Sequence, residues 1–178
     1  MAMSDLHYPI GLFEHHGEVS RAQRERWLDQ LKTAPQALRD AVAGLGDEQL
    51  DTPYRPEGWT VRQVVHHLPD SHINSYVRFK WALTEDTPTL IKPYLEDRWA
   101  TLPDYTAPVE ISLTLLEALH ARWLHLLSAL PDEAFGRQFQ HPESNNATSL
   151  AWSLGYYAWH GRHHIAHILA LRRLRGWL

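Results

Sequence analysis

Four of the chain's thirteen histidines lie within eight residues, in the run Trp159-His160-Gly161-Arg162-His163-His164-Ile165-Ala166-His167. The run sits inside a segment, Ser149 to Leu174, whose pattern reads as one long helix. On a helix, residues three and four apart share a face, so His160 and His164 can address one common target. Two imidazoles at that spacing are the usual helical start of a divalent metal site. Such a site needs a third ligand and a pocket from elsewhere in the chain.

Composition narrows the donors. The chain has no cysteine, which removes disulfides, thiolate zinc sites and cysteine nucleophiles together. Histidine and carboxylates are left as metal ligands. At 178 residues, 44% of them apolar, the chain reads as a single domain spanning 1–178 with a proper core. A formal net charge of −4 offers no basic field to nucleic acid. Asp5 and His7 stand where a signal peptide needs a basic start and an apolar run, and no stretch approaches the length of a membrane span. The Asn146-Ala147-Thr148 sequon lacks a secretory context and reads as chance. The expectation is a soluble cytoplasmic protein with no nucleic-acid or membrane partner.

Four long helices should position the histidines. Ser20 followed by Gln23 is a capping-box signature, and Trp27, Leu31, Leu38, Val42 and Leu45 recur behind it at helical spacing. Pro35 within this run predicts a kink or a restart. Asp47 to Leu50 fits one short turn, and Pro53, Pro56 and Gly58 make a loop. Thr60 caps a second helix to about Leu83, with Val61, Val64, Val65, Leu68, His72 and Phe79 on one face. Pro69 should bend it just after the histidine pair. Thr87 to Pro108, with four prolines, is a long crossover. Leu113, Leu116, Leu119, Trp123, Leu127 and Leu130 mark the third helix, Pro131 to Phe135 a short turn, and His141 to Asn146 a polar loop before the fourth.

Leu45-Gly46-Asp47-Glu48-Gln49-Leu50 echoes Leu130-Pro131-Asp132-Glu133-Ala134-Phe135, which suggests helix, short helix, loop, helix, twice. The fold class implied is all-α: a four-helix bundle with a long crossover between the second and third long helices. No segment alternates with period two over strand length, so no sheet is expected.

Helical angles sort the histidines. With Leu154 at zero, His164 falls at about −80°, His160 at about −120°, His167 at about −140° and His163 at about 180°. His160 and His164 therefore flank the core stripe, His163 points away from it and His167 is intermediate. On the second helix His67 lies at the edge of the core face and His66 points toward solvent. His72 and His120 read as hydrogen-bonded core residues, and His7, His15, His16, His125 and His141 as surface residues. One constellation these angles allow is His67 from one half of the chain with His160 and His164 from the other. Three histidines without a fourth protein ligand form an open site, the arrangement used for catalysis.

The segment Tyr54-Arg55-Pro56-Glu57-Gly58-Trp59-Thr60-Val61-Arg62-Gln63-Val64-Val65-His66-His67-Leu68, followed by Asp70-Ser71-His72, resembles the DinB/YfiT-like family. So do Tyr76-Val77-Arg78-Phe79-Lys80, Ile91-Lys92-Pro93-Tyr94, Leu119-His120-Ala121-Arg122-Trp123 and the Trp159–His167 run. The likeness extends from Tyr8-Pro9-Ile10-Gly11 to the end and is specific to the YfiT branch. It implies a four-helix bundle with a three-histidine metal site, and by motif His67, His160 and His164 are the ligands. Pro69 departs from the small residue expected there. The resemblance further implies a cytoplasmic homodimer with one divalent ion, zinc or nickel, per subunit.

Proteins resembling this branch are described as metal-dependent hydrolases, and related ones as thiol S-transferases that use bacillithiol. The leading expectation is a metal-dependent transferase that joins a low-molecular-weight thiol, of bacillithiol type, to an electrophile. The alternatives are hydrolysis by metal-activated water and a non-catalytic metal-binding module of stress responses. Arg78, Lys80, Lys92, Tyr94 and Arg122 could meet an anionic thiol, although each taken singly reads as a solvated surface group. Tyr94 could also donate a proton near the metal.

Overall fold

A computed structural model describes residues 6–142 and 146–177. Its four long helices are α1 (Arg21–Val42), α3 (Val61–Thr84), α5 (Val109–Ser128) and α6 (Leu150–Arg175). Two single turns, α2 (Asp47–Leu50) and α4 (Glu96–Trp99), lie between them. Helix α1 packs on α5 and α6, and α3 packs on the same two, so the four close a ring in the order α1, α5, α3, α6. The expected bundle and the long connection between its second and third long helices are both present.

Local chemistry explains the helix starts. The Ser20, Thr60 and Ser149 hydroxyls accept from the backbone N–H three residues on, at 3.2, 3.1 and 3.1 Å. Thr60 completes a capping box, its own N–H donating to Gln63 Oε1 at 2.9 Å. Arg62 reaches back to Asp47 and Asp51 at 2.8 and 2.6 Å, tying α2 to the first turn of α3. Gly176 ends α6 in the left-handed conformation, with φ of 68°.

Neither helix-interior proline interrupts its helix. Helix α1 runs without a break through Pro35, and α3 through Pro69. Proline at 35 has no N–H to give the Leu31 carbonyl one turn earlier. That carbonyl instead accepts from His120 Nδ1 of α5 at 2.7 Å, so the lost helical bond is replaced by a tertiary one.

The all-α class holds, but a small sheet overturns the expectation of none. Strand β1 (Thr89–Leu90) pairs parallel with β2 (Gln138–Gln140), which pairs antiparallel with β3 (Ala147–Ser149). Strands of two or three residues are too short to show a period in the sequence. The sheet joins the crossover to the loop entering α6, and residues 143–145 of the polar loop expected there lie outside the described residues.

The apolar core comes in two parts. One gathers Leu38, Val64, Leu68, Leu116, Ile168 and Leu171; the other gathers Leu31, Phe79, Trp123, Leu127, Leu150 and Leu154. Between them lies a polar layer: His72 on α3, His120 on α5 and His160 with His164 on α6. Eight histidines are buried in all. A layer of neutral rings in a core is costly unless each is hydrogen-bonded or serves a site.

Candidate metal centre

His67 stands two turns into α3, and His160 and His164 stand on successive turns in the middle of α6. Packing of α3 on α6 brings one ring nitrogen of each within 4.8 Å of the others. The rings are 4, 7 and 9% exposed, and their centroids are 4.5 to 5.3 Å apart. His67 Nε2 lies 3.3 Å from His160 Nε2.

That spacing fits a shared cation. Two nitrogens bound tetrahedrally at about 2.0–2.1 Å from a zinc-like ion sit about 3.3 Å apart. Electrostatics agree, since only a neutral imidazole offers its lone pair. Burial pushes His67 down to about 3, and burial with neighbouring histidines holds His160 and His164 well below the ordinary imidazole value. The three ligand candidates are therefore gathered, neutral and nearly dry.

The cluster opens on a cavity of about 890 Å³. Trp59 forms one wall, with its ring 4.6 Å from His67 and stacked over His164 at 6.3 Å. It is held by a tight loop in which Tyr54 N–H bonds Trp59 O, the Glu57 φ is 58° and Gly58 leaves no room for a Cβ beside Arg55. Tyr156 and Tyr157 of α6 add further aromatic wall, and Arg55 and Arg78 bring guanidinium groups. Both Arg55 Nε and Arg78 Nε are buried without a hydrogen-bond partner among the described residues. Glu57, Glu96 and Asp97 supply the acidic lining.

The other residues singled out by sequence fall as follows. Tyr94 lines the cavity, and burial raises its pKa. Arg78 lines the cavity as well, whereas Arg122, Lys80 and Lys92 are exposed and outside its lining. His72 and His120 are buried and hydrogen-bonded to one another at 2.8 Å, as the core reading expected.

Two orientations are corrected. His66 does not face solvent: its Nε2–H donates to Ala107 O at 3.1 Å and its Nδ1 lies 2.7 Å from Ser112 Oγ. The crossover and the start of α5 cover that side of α3, which helical periodicity alone could not foresee. His163 is buried too, stacked on Trp159 at 4.5 Å under Tyr8. The covering segment also accepts from α6, at Gly11 O from Trp159 Nε1 and at His7 O from His167 Nε2, both at 3.1 Å. His167 stacks on Tyr54 with centroids 4.1 Å apart and lines no part of the cavity.

Sequence reasoning missed Trp59, Arg55, Tyr156 and Tyr157 as lining residues. Tyr156 and Tyr157 precede His160 by four and three residues, so the face shared with the histidine pair was the signal available. For Trp59 it was the aromatic residue immediately before the Thr60 cap.

Comparison with known proteins agrees with this architecture. A DinB superfamily profile matches residues 30–168. Curated proteins of Bacillus cereus (strain 03BB102) and Bacillus thuringiensis subsp. konkukian, each named "Putative metal-dependent hydrolase", are 52% identical over 175 residues, covering 98% of this chain and 100% of theirs. Among solved structures, YfiT from Bacillus subtilis, described as "a probable metal-dependent hydrolase with an unusual four-helix bundle topology", superimposes with a TM-score of 0.95 at 50% identity. It covers 98% of this chain and 99% of its own. A mycothiol-dependent maleylpyruvate isomerase shares the fold alone, with a TM-score of 0.60 at 16% identity over 79% of this chain and 60% of its own. By its sequence and its bundle, the chain belongs to the DinB superfamily.

Proposed function

We propose that His67, His160 and His164 hold one divalent cation, zinc or nickel, and that the protein is a metal-dependent thiol S-transferase. The observation that carries the metal reading is the 3.3 Å approach of two neutral imidazole nitrogens beside a third, at the wall of a large cavity. A divalent ion bound there supplies Lewis acidity, which lowers the pKa of a thiol or a water at neutral pH.

The chain's own groups suit a two-reactant site. It has no cysteine, so the sulfur nucleophile is a cosubstrate. In the transfer the thiol gives up its proton to water, a sulfur–carbon bond forms, and the bond from carbon to the leaving group breaks with its electron pair. Arg55 and Arg78 line the cavity with guanidinium groups, which suit carboxylates on a small thiol. Trp59, Tyr156 and Tyr157 keep the cluster dry and offer apolar surface to an electrophile. Tyr94, whose burial raises its pKa further above neutrality, can donate a hydrogen bond inside the cavity. The family resemblance supports a cytoplasmic homodimer as the working form.

Hydrolysis is the second reading, supported by the names of the half-identical relatives and by the Glu57, Glu96 and Asp97 carboxylates in the cavity lining. The test is to incubate metal-loaded protein with a low-molecular-weight thiol and a model electrophile, following thiol loss. Thiol consumption well above the metal-free control is expected. No excess over that control across several thiols, with turnover of a model ester instead, would move the assignment to hydrolysis. A metal-loaded protein inactive in both assays would be a binding module.

A further inference from the structure

A buried row of three imidazoles runs from the α1 backbone to the candidate metal centre. It starts at the Leu31 carbonyl, which lacks its helical donor because residue 35 is proline. His120 Nδ1 meets that carbonyl at 2.7 Å. His120 Nε2 meets His72 Nδ1 at 2.8 Å, and His72 Nε2 meets His160 Nδ1 at 3.3 Å. The rings of His120, His72 and His160 are 1, 0 and 7% exposed, so water does not compete.

The protons in this row have one consistent arrangement. A carbonyl oxygen only accepts, and a neutral imidazole carries one N–H and one lone pair. His120 must therefore hold its proton on Nδ1 and accept at Nε2. His72 then donates from Nδ1 and accepts at Nε2. His160 donates from Nδ1 in turn, leaving a bare Nε2 that faces His67 Nε2 at 3.3 Å.

We propose that His120 and His72 are positioning residues that fix His160 as its Nδ1–H tautomer and aim its Nε2 lone pair at the metal centre, anchored by the Leu31 carbonyl that Pro35 frees. The purpose of the row rests on the metal reading above; the proton arrangement does not. His67 and His164 lack a comparable anchor, since their Nδ1 atoms are buried without a hydrogen-bond partner among the described residues. Preset orientation and tautomer of one ligand raise affinity because less has to be reorganised on binding.

The test is long-range ¹H–¹⁵N spectroscopy of the metal-free, histidine-labelled protein at neutral pH, with zinc affinity read by chelator competition. His120, His72 and His160 are each expected to carry the proton on Nδ1. His120→Phe should give His72 and His160 mixed tautomers and weaken zinc binding about 10-fold, the lower end for loss of an outer partner. An Nε2–H tautomer at His160 in the wild-type protein would overturn the proposal. So would a folded His120→Phe protein that keeps Nδ1–H on His160 with full zinc affinity, the result for a purely structural His120. If His120→Phe fails to fold, the wild-type spectrum decides alone. Wild-type protein that binds no zinc would sink the metal reading, while the tautomers would still uphold or overturn the anchored row.

Discussion

His67 Nε2 and His160 Nε2 lie 3.3 Å apart although ninety-three residues separate them in the chain. The approach follows from the packing of α3 on α6, each helix entered through a hydroxyl cap that fixes where its turns begin. Two buried rings that face each other with bare nitrogens repel unless a proton or a cation lies between them. A proton on one of the two nitrogens, or a cation between them, relieves that repulsion, and under the proposed function the cation is the metal.

Removing a ligand should abolish tight binding. His160→Ala or His164→Ala should weaken zinc affinity by more than the roughly 10–100-fold typical of losing an outer partner. Chelator competition on the purified variants measures this, with circular dichroism confirming that the bundle remains. A variant retaining affinity within a few-fold of the parent would remove that residue from the ligand set.

The buried histidines should make the metal-free protein sensitive to mild acid. Burial lowers the pKa of each, with His120, His163 and His167 pushed down to about 4 from the ordinary 6.5. The unfolded chain therefore takes up protons that the folded one refuses as the pH drops below 6.5. Stability is full above 6.5, falls through the window down to about 4, and stops falling for these three below it. For His120 alone the slope is roughly 1.4 kcal/mol per pH unit. Melting temperatures across the pH range should be level above neutrality and drop steeply below it; a level profile down to pH about 4 would contradict the neutral layer.

Gly155 allows α6 to pass beneath two aromatic rings. A Cβ there would stand 2.7 Å from the Trp27 ring and 2.9 Å from Phe13 Cζ. Gly155→Ala should cost about 1–3 kcal/mol through overpacking, despite alanine's better helix propensity. Denaturant melts report it, and a stabilised variant would mean that the Trp27 contact is loose.

Arg78 should act on binding more than on chemistry. Under the transferase reading, Arg78→Ala is expected to raise KM for a carboxylate-bearing thiol about 10-fold with kcat little changed, the pattern of lost uniform binding. Steady-state kinetics with that thiol, and with a neutral thiol as control, measure the split. Equal losses with both thiols would argue against an anion contact.

Much of this could be read from residue spacing. The four long helices, the short turn at Asp47 and the crossover follow from periodicity, capping residues and proline placement, while the meeting of His67 with His160 and His164 took the family resemblance as well. Periodicity failed where irregular chain supplies the cover. His66 and His163 looked outward, but the end of the crossover buries the first and the segment around Tyr8 the second. The partner of the carbonyl that Pro35 frees was out of reach for a related reason. A helical rule sees the donor that proline lacks, but not the His120 ring that takes its place from another helix. The three short strands form only because the crossover and the loop entering α6 are brought side by side by the bundle.

The most direct test of the central claim is elemental analysis of the protein purified without a histidine tag, alongside a His67→Ala variant. About one equivalent of a divalent transition metal per chain is expected in the parent protein and essentially none in the variant. Metal-free parent protein that takes up no zinc or nickel on reconstitution, or a His67→Ala variant that retains the full equivalent, would contradict the claim.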